Sequence, residues 1–199
     1  MPLYPREEIQ EMVNRFDQAK RDAEKTHDWS ALGSFYTEDA NYGWFLGPDE
    51  EVLFQGRKEI ADHAMGSEMV GFEGWTFQYT RSIIDVEKAE VVSWGPYVPG
   101  KMHADGTPYA VAGLTGSWLH YGGNFQWSWQ RDILDFGNLQ ATFRELIADG
   151  QGSDAFRQRM GRILKEQAEN SEARFEAKGH YHLGKAPISM WDMAPLPKP

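Results

Sequence analysis

The chain has 199 residues, of which 41% are hydrophobic and 14% aromatic, enough to fill the core of one domain and to exclude wholesale disorder. A formal net charge of −10 and a pI near 5.0, with no Lys/Arg stripe, repel phosphate backbones and exclude nucleic acid as a partner. Cysteine is absent, which excludes disulfides, thiolate nucleophiles and Cys-based zinc sites.

Ile9, Met12, Val13, Phe16 and Ala23 recur at helical spacing and predict a first helix over about 6–26, with Pro5 at its entry and Glu7 and Glu8 at its positive end. Asp28 can cap a shorter helix running to Tyr36, and a strand follows through Tyr42 and Trp44. The sequence EVLFQG at 51–56 resembles a viral-protease tag-removal site, but it lies inside the domain pattern rather than at a terminus and is read as a coincidence. Gly56 precedes a third helix over 57–68. Segments 75–86, 89–98, 109–121 and 124–135 are rich in Trp, Tyr, Phe, Val and Ile and are separated by turn material, so they read as hairpin-linked strands. Helices followed by a run of strands predict α+β architecture rather than alternating α/β.

Gly137–Asn138 ends the last strand, and two further helices follow. Leu139, Phe143, Leu146 and Ile147 mark one; Phe156, Met160, Ile163, Leu164 and Phe175 mark the other, with Ser153 as its cap and Gly179 at its end. The expected organisation is a domain over 1–136 and a helical extension over 137–199 packed on it. The opening MPLYPREEIQEM lacks the apolar run of a secretion signal, and nothing approaches the roughly 18 apolar residues of a membrane span, so a soluble cytoplasmic protein without membrane contact is expected.

The runs DWSALGSFYTEDANYGWFLGP, GRKEIADHAMG and GNFQWSWQRD together resemble the nuclear-transport-factor-2-like superfamily, in its SnoaL-like polyketide-cyclase branch, over about residues 6–136. The resemblance implies an α+β cone: a curved, mostly antiparallel sheet around N-terminal helices, enclosing a deep pocket. It also implies an enzyme working by acid–base chemistry on a small molecule, without a cofactor. The ketosteroid-isomerase relatives place a carboxylate base at about the position that Trp44 occupies here, which puts the usual isomerase base in doubt. GWFLGPDEE, EMVGFEGW and GNFQWSWQRD look most like a bacterial subgroup acting on aromatic compounds, including diarylpropane lyases that remove formaldehyde from a lignin-derived diol to leave a stilbene. The alternatives are a dehydratase, isomerase or epoxide hydrolase on a steroid-like or polycyclic substrate, and a non-catalytic ligand-binding domain.

Strand alternation assigns faces. Tyr42 and Trp44 share one with Ala40, and either line the pocket or fill the core. Phe77, Tyr79 and Arg81 share another; a guanidinium among aromatic rings is costly unless it meets an anion or a polarised oxygen. Arg81 is therefore expected at the site, unless it pairs structurally with Asp39, Asp85 or Asp132. His63, one turn after Ile60, and His103, in a glycine-flanked loop 99–108 that could close over the mouth, are candidate proton carriers, as is His120 at a strand end. Asp132 and Asp135 follow Arg131 and either orient a His or Arg or form a solvated rim. The catalytic candidates are Arg81, Tyr42, His103, His63 and Asp132. Tyr36, Trp44, Phe77, Tyr79, Trp94, Trp118 and Trp127 are the expected walls for a flat aromatic substrate.

No nucleotide-binding glycine motif and no HExxH is present, and His180 with His182 is too isolated for a metal site, so neither cofactor nor metal is expected. The aromatic strand 124–135 has apolar residues on both faces, with Phe125, Trp127 and Trp129 together on one; this predicts a homodimer or a higher homo-oligomer.

Overall fold

The computed structural model describes residues 2–45, 51–111 and 114–169. Helix α1, Arg6–Thr26, buries Ile9, Met12, Val13, Phe16 and Ala23 along one face, and His27 closes it in the left-handed conformation. A 3-10 turn, Ser30–Phe35, stands where the short second helix was expected; Asp28 accepts from the Ser30 amide at its start. Strand β1, Tyr36–Phe45, pairs antiparallel with β2, Glu51–Gln55, so the protease-like run EVLFQG is an edge strand. Gly43 makes that pairing possible, since a Cβ there would lie 2.1 Å from the Val52 carbonyl oxygen. The expected helix 57–68 is broken into α2, Arg57–Glu59, a π turn over Ile60–Ala64 and a 3-10 turn over Ser67–Met69.

Strands β3, Arg81–Asp85; β4, Glu90–Trp94; β5, Gly116–Tyr121; and β6, Trp127–Ile133, are shorter than the aromatic runs containing them. The sheet order is β2-β1-β6-β5-β4-β3, antiparallel except where β1 runs parallel to β6. The sheet is open, and α1 packs on its concave face: Phe16 meets Tyr36 and Trp127 edge-on, inside a core that also takes Val52, Phe54, Val91, Leu119 and Tyr121. Among the described residues no helix is long and apolar enough to cross a membrane.

Helices α3, Phe136–Ala148, and α4, Asp154–Glu169, follow. Asp135 caps α3 through the Asn138 amide, and the Ser153 hydroxyl accepts from the Phe156 amide at the start of α4. Leu146, Phe156 and Met160 form a second core with Trp75, Tyr97, Tyr109 and Val111. Phe77 packs against both cores and joins them. The expected continuation of the last helix through Phe175 to Gly179, and the pair His180 and His182, lie outside the described residues.

Two one-residue bulges decide which side chains face inward. Between the Thr76–Val98 bridge and the Arg81–Trp94 pair, the four residues 77–80 stand opposite the three residues 95–97. The extra residue reverses the alternation, so Phe77 and Tyr79 point inward while Arg81 points out. Gly95 takes the close approach: a Cβ there would lie 2.2 Å from the Gln78 carbonyl oxygen. The second bulge is in β6, where His120 pairs with Trp129 and Tyr121 pairs with Trp127, leaving Ser128 extra. The Ser128 hydroxyl lies 2.6 Å from the Nδ1 of His120. Trp127 is thereby buried against Phe16 and Tyr121, while Trp129 turns to the outer face beside Trp118. The expectation that Phe125, Trp127 and Trp129 share a face fails for this reason.

Candidate active site

Beyond the bulge at Ser128, Gln130 and Asp132 point to the concave side, and a polar cluster forms around them. Asp132 Oδ1 accepts from the Ser117 hydroxyl at 2.6 Å and from Gln130 Nε2 at 2.7 Å, and Oδ2 accepts from the Tyr42 phenol through a very short bond. The Tyr36 phenol donates to Gln130 Oε1 at 2.6 Å, and the Tyr79 phenol to Ser117 Oγ at 2.7 Å. Three strands and the segment before β3 thus converge on one carboxylate. Above it, α1 presents Lys20, only 5% exposed, whose Nζ lies 3.1 Å from the centre of the Tyr79 ring.

Burial pushes the Asp132 carboxyl above the ordinary aspartate range, while hydrogen bonds from Ser117, Tyr42 and Gln130 and the charge of Lys20 pull it back. Burial also lowers the Lys20 ammonium from 10.5 to about 8, opposed by Asp17, Asp132 and Glu24. The phenols of Tyr36, Tyr42, Tyr79 and Tyr97 are all held up, first by burial, with the Asp132 charge adding to each. A carboxyl weakened as an acid and an ammonium made more acidic therefore share an interior with Trp44, Phe77 and the four tyrosines. Asp132, Trp44, Phe77 and Tyr79 are only half-buried, so the cluster keeps accessible surface.

Of the catalytic candidates read from the sequence, Tyr42 and Asp132 meet in this cluster and the other three do not. Arg81 is exposed on the outer face of the edge strand β3, opposite Trp94. His63, on the π turn, stacks on Phe54, whose ring in turn stacks on Tyr42. His103 lies on the Tyr109 ring, 3.6 Å between centres, in a loop closed by the Met102–Pro108 bridge. Asp132 is not a solvated rim but the centre of the cluster, and Asp135 is the N-cap of α3.

Among the expected walls, Tyr36, Trp44, Phe77, Tyr79 and Trp127 face inward, with Trp127 wholly in the core. Trp94 and Trp118 face outward: Trp118 packs on Trp129 and donates to Glu90. Strand alternation from Ser93 and Ser117, both buried, puts their neighbours on the opposite side. Lys20, Ser117, Gln130 and Tyr97 were not read as site residues. A signal for Lys20 was present, because it stands four residues after Phe16 and three before Ala23, in the stripe that is otherwise apolar.

No protein-family model and no curated protein matches the chain. Solved structures do match. PrhC of Penicillium brasilianum aligns over 73% of this chain and 92% of its own, at 13% identity and TM-score 0.51. A Bacillus subtilis protein described as a candidate isomerase aligns over 69% and 93%, at 13% identity and TM-score 0.50. An NTF2-like protein of Anabaena variabilis aligns over 67% and 93%, at 17% identity and TM-score 0.48. At such identities the likeness concerns the fold alone, an α+β arrangement of helices on an open, mostly antiparallel six-stranded sheet.

Proposed function

We propose that the chain is a cofactor-independent lyase acting on a hydrophobic aromatic substrate by general acid–base catalysis. The observation that supports this reading most is the pairing of a buried lysine with a desolvated aspartate inside an aromatic cone. Such a pair can give and take protons at a bound substrate, and each well-placed transfer contributes about 10²–10⁴-fold. The substrate proposed is a phenolic diarylpropane diol, the type suggested by the sequence resemblance.

The proton inventory closes with these groups. Lys20 as ammonium protonates the departing benzylic hydroxyl, which leaves as water, while Asp132 takes the phenol proton. The product of that step is a quinone methide. Lys20, now neutral, removes the proton of the terminal alcohol; the carbon–carbon bond breaks, formaldehyde leaves, and the electron pair becomes the stilbene double bond. The phenolate oxygen recovers its proton from Asp132. Both residues end as they began. Tyr42, hydrogen-bonded to Asp132, holds the carboxylate in place and tempers its charge.

Asp132→Asn keeps the shape of the side chain and removes its basicity. Turnover of such a diol, followed as formaldehyde and stilbene released in equal amounts, should fall by about 10²–10⁴-fold with folding retained. Undiminished turnover in that variant would sink the assignment. A product of unchanged mass would move the enzyme to the isomerase class with the same acid–base pair.

A further inference from the structure

The acid–base reading leaves one property of Lys20 unused. We propose that Lys20 is also a nucleophile, and that the cone binds aromatic aldehydes or ketones covalently, as an imine on its Nζ. The inference rests on the reading of the Asp132 cluster as the reaction centre.

Three observations carry it. Lys20 occupies a place in the α1 stripe where Phe16 and Ala23 set an apolar pattern, so its amine is brought into the core rather than to the surface. Its Nζ lies against the face of Tyr79, and no salt bridge of Lys20 occurs among the described residues. A ring face stabilises an ammonium less than a contacting carboxylate would, and leaves the nitrogen lone pair unblocked once the proton is lost. Finally, proton donors and acceptors for the dehydration step stand in the adjoining cluster: the Asp132 carboxyl and the Tyr42 and Tyr79 phenols.

The chemistry is balanced without a further reagent. The neutral amine adds to the carbonyl carbon, and the oxygen takes a proton to give a carbinolamine. Loss of that hydroxyl as water, on a proton returned through Asp132, leaves a protonated imine. A cation results where the ammonium stood, so the cluster keeps its charge balance. The groups that govern the amine are Asp17, Arg21 and Glu24 on α1, Tyr79 from the segment before β3, and Asp132 from β6, with burial the dominant influence. A midpoint of about 8 leaves roughly a tenth of the amine neutral at pH 7, against under a thousandth for an ordinary lysine. Lysines desolvated in apolar pockets are the kind that serve as imine-forming nucleophiles.

The test uses the full chain and 4-hydroxybenzaldehyde, with cyanoborohydride to fix the imine as a secondary amine and peptide mass analysis to locate it. The expected result is a saturable, single-equivalent adduct at Lys20, formed with a pH midpoint near 8, while exposed Lys25, Lys58 and Lys88 react slowly and only at higher pH. Lys20→Arg should abolish the fast adduct. Should that variant fail to fold, the pH midpoint of site-resolved labelling in the wild-type chain decides alone. No adduct, or labelling spread evenly over the exposed lysines, would overturn the proposal. Diol turnover by a chain whose Lys20 cannot be trapped would leave the lyase reading standing; trapping without diol turnover would do the reverse.

Discussion

The two faces of the central strands carry different chemistry. On the concave face, β1, β5 and β6 contribute Tyr36, Tyr42, Ser117, Gln130 and Asp132, linked into one hydrogen-bonded cluster. On the convex face the same strands and β4 carry Trp94, Trp118, His120 and Trp129; Trp129 meets Trp118 edge-on and stacks on His120, and none of them is linked to an interior carboxylate. By composition the convex face looks like the ligand wall, with its tryptophans and nearby Arg81. Aromatic density marks apolar burial of any kind, whereas chemistry needs titratable groups withdrawn from water. The concave tyrosines and the lysine above them meet that requirement.

The sharpest way to break this comparison is to truncate one tryptophan from each face. Trp127, 1% exposed between Phe16 and Tyr121, should cost about 3–5 kcal/mol as Trp127→Ala, read by urea unfolding. Trp118→Ala removes a half-buried ring and its bond to Glu90, and should cost about 1 kcal/mol. Equal costs would mean that the convex face is as much core as the concave one.

Lys20 gives the next largest effect. Its folded value, about 8, lies below the 10.5 of an unperturbed lysine, so between these pH values the unfolded chain binds more protons than the folded one. Stability of the wild type relative to Lys20→Met should therefore rise through that window, by about 3 kcal/mol in all. A flat difference would show that the amine is not desolvated. On the activity side, kcat/KM should decline above about pH 8 as the ammonium is lost. Lys20→Met removes a charge that lowers Asp132, so the acid limb of its residual activity should move to higher pH.

Tyr42→Phe leaves the aromatic packing and deletes one donor to Asp132. Hydrogen bonds to charged groups are worth about 1.5–3 kcal/mol, so activity should drop by about 10- to 100-fold, with a further rise of the acid limb. An unchanged pH profile would mean that the phenol supports packing alone.

Much of the fold was legible because hydrophobic periodicity and turn chemistry are local: α1, the order of helices before strands, and the cap at Ser153 all follow from short windows. Facing was legible only until a bulge intervened. One unpaired residue among 77–80, and Ser128 in β6, each invert what alternation assigns, and neither leaves a mark in the composition of its strand. Tyr42 shares its face with Ala40 and Trp44 in a stretch of β1 that alternation read as it stands, whereas Arg81 and Trp129 lie beyond a bulge and were assigned to the wrong face. Lys20 was hidden for another reason. The apolar pattern of α1 is complete enough without it that a lysine in the stripe passes as a surface residue whose stem is buried.

The smallest expected effect belongs to the residue that the sequence singled out first. Arg81 stands at the start of an edge strand, exposed, with its backbone paired to Trp94 and its side chain on the face opposite to Tyr79. Deleting a solvated guanidinium there removes no buried bond and leaves no cavity, and surface changes of that kind stay within about 0.5 kcal/mol. Arg81→Ala should therefore melt with the wild type and turn over substrate at an unchanged rate. Parallel measurements on Asp132→Asn supply the scale, since both residues were candidates for one site and the bulge before β3 separates them. A large loss of activity in Arg81→Ala, with stability intact, would show that the convex face takes part in catalysis and that the division between the faces is drawn in the wrong place.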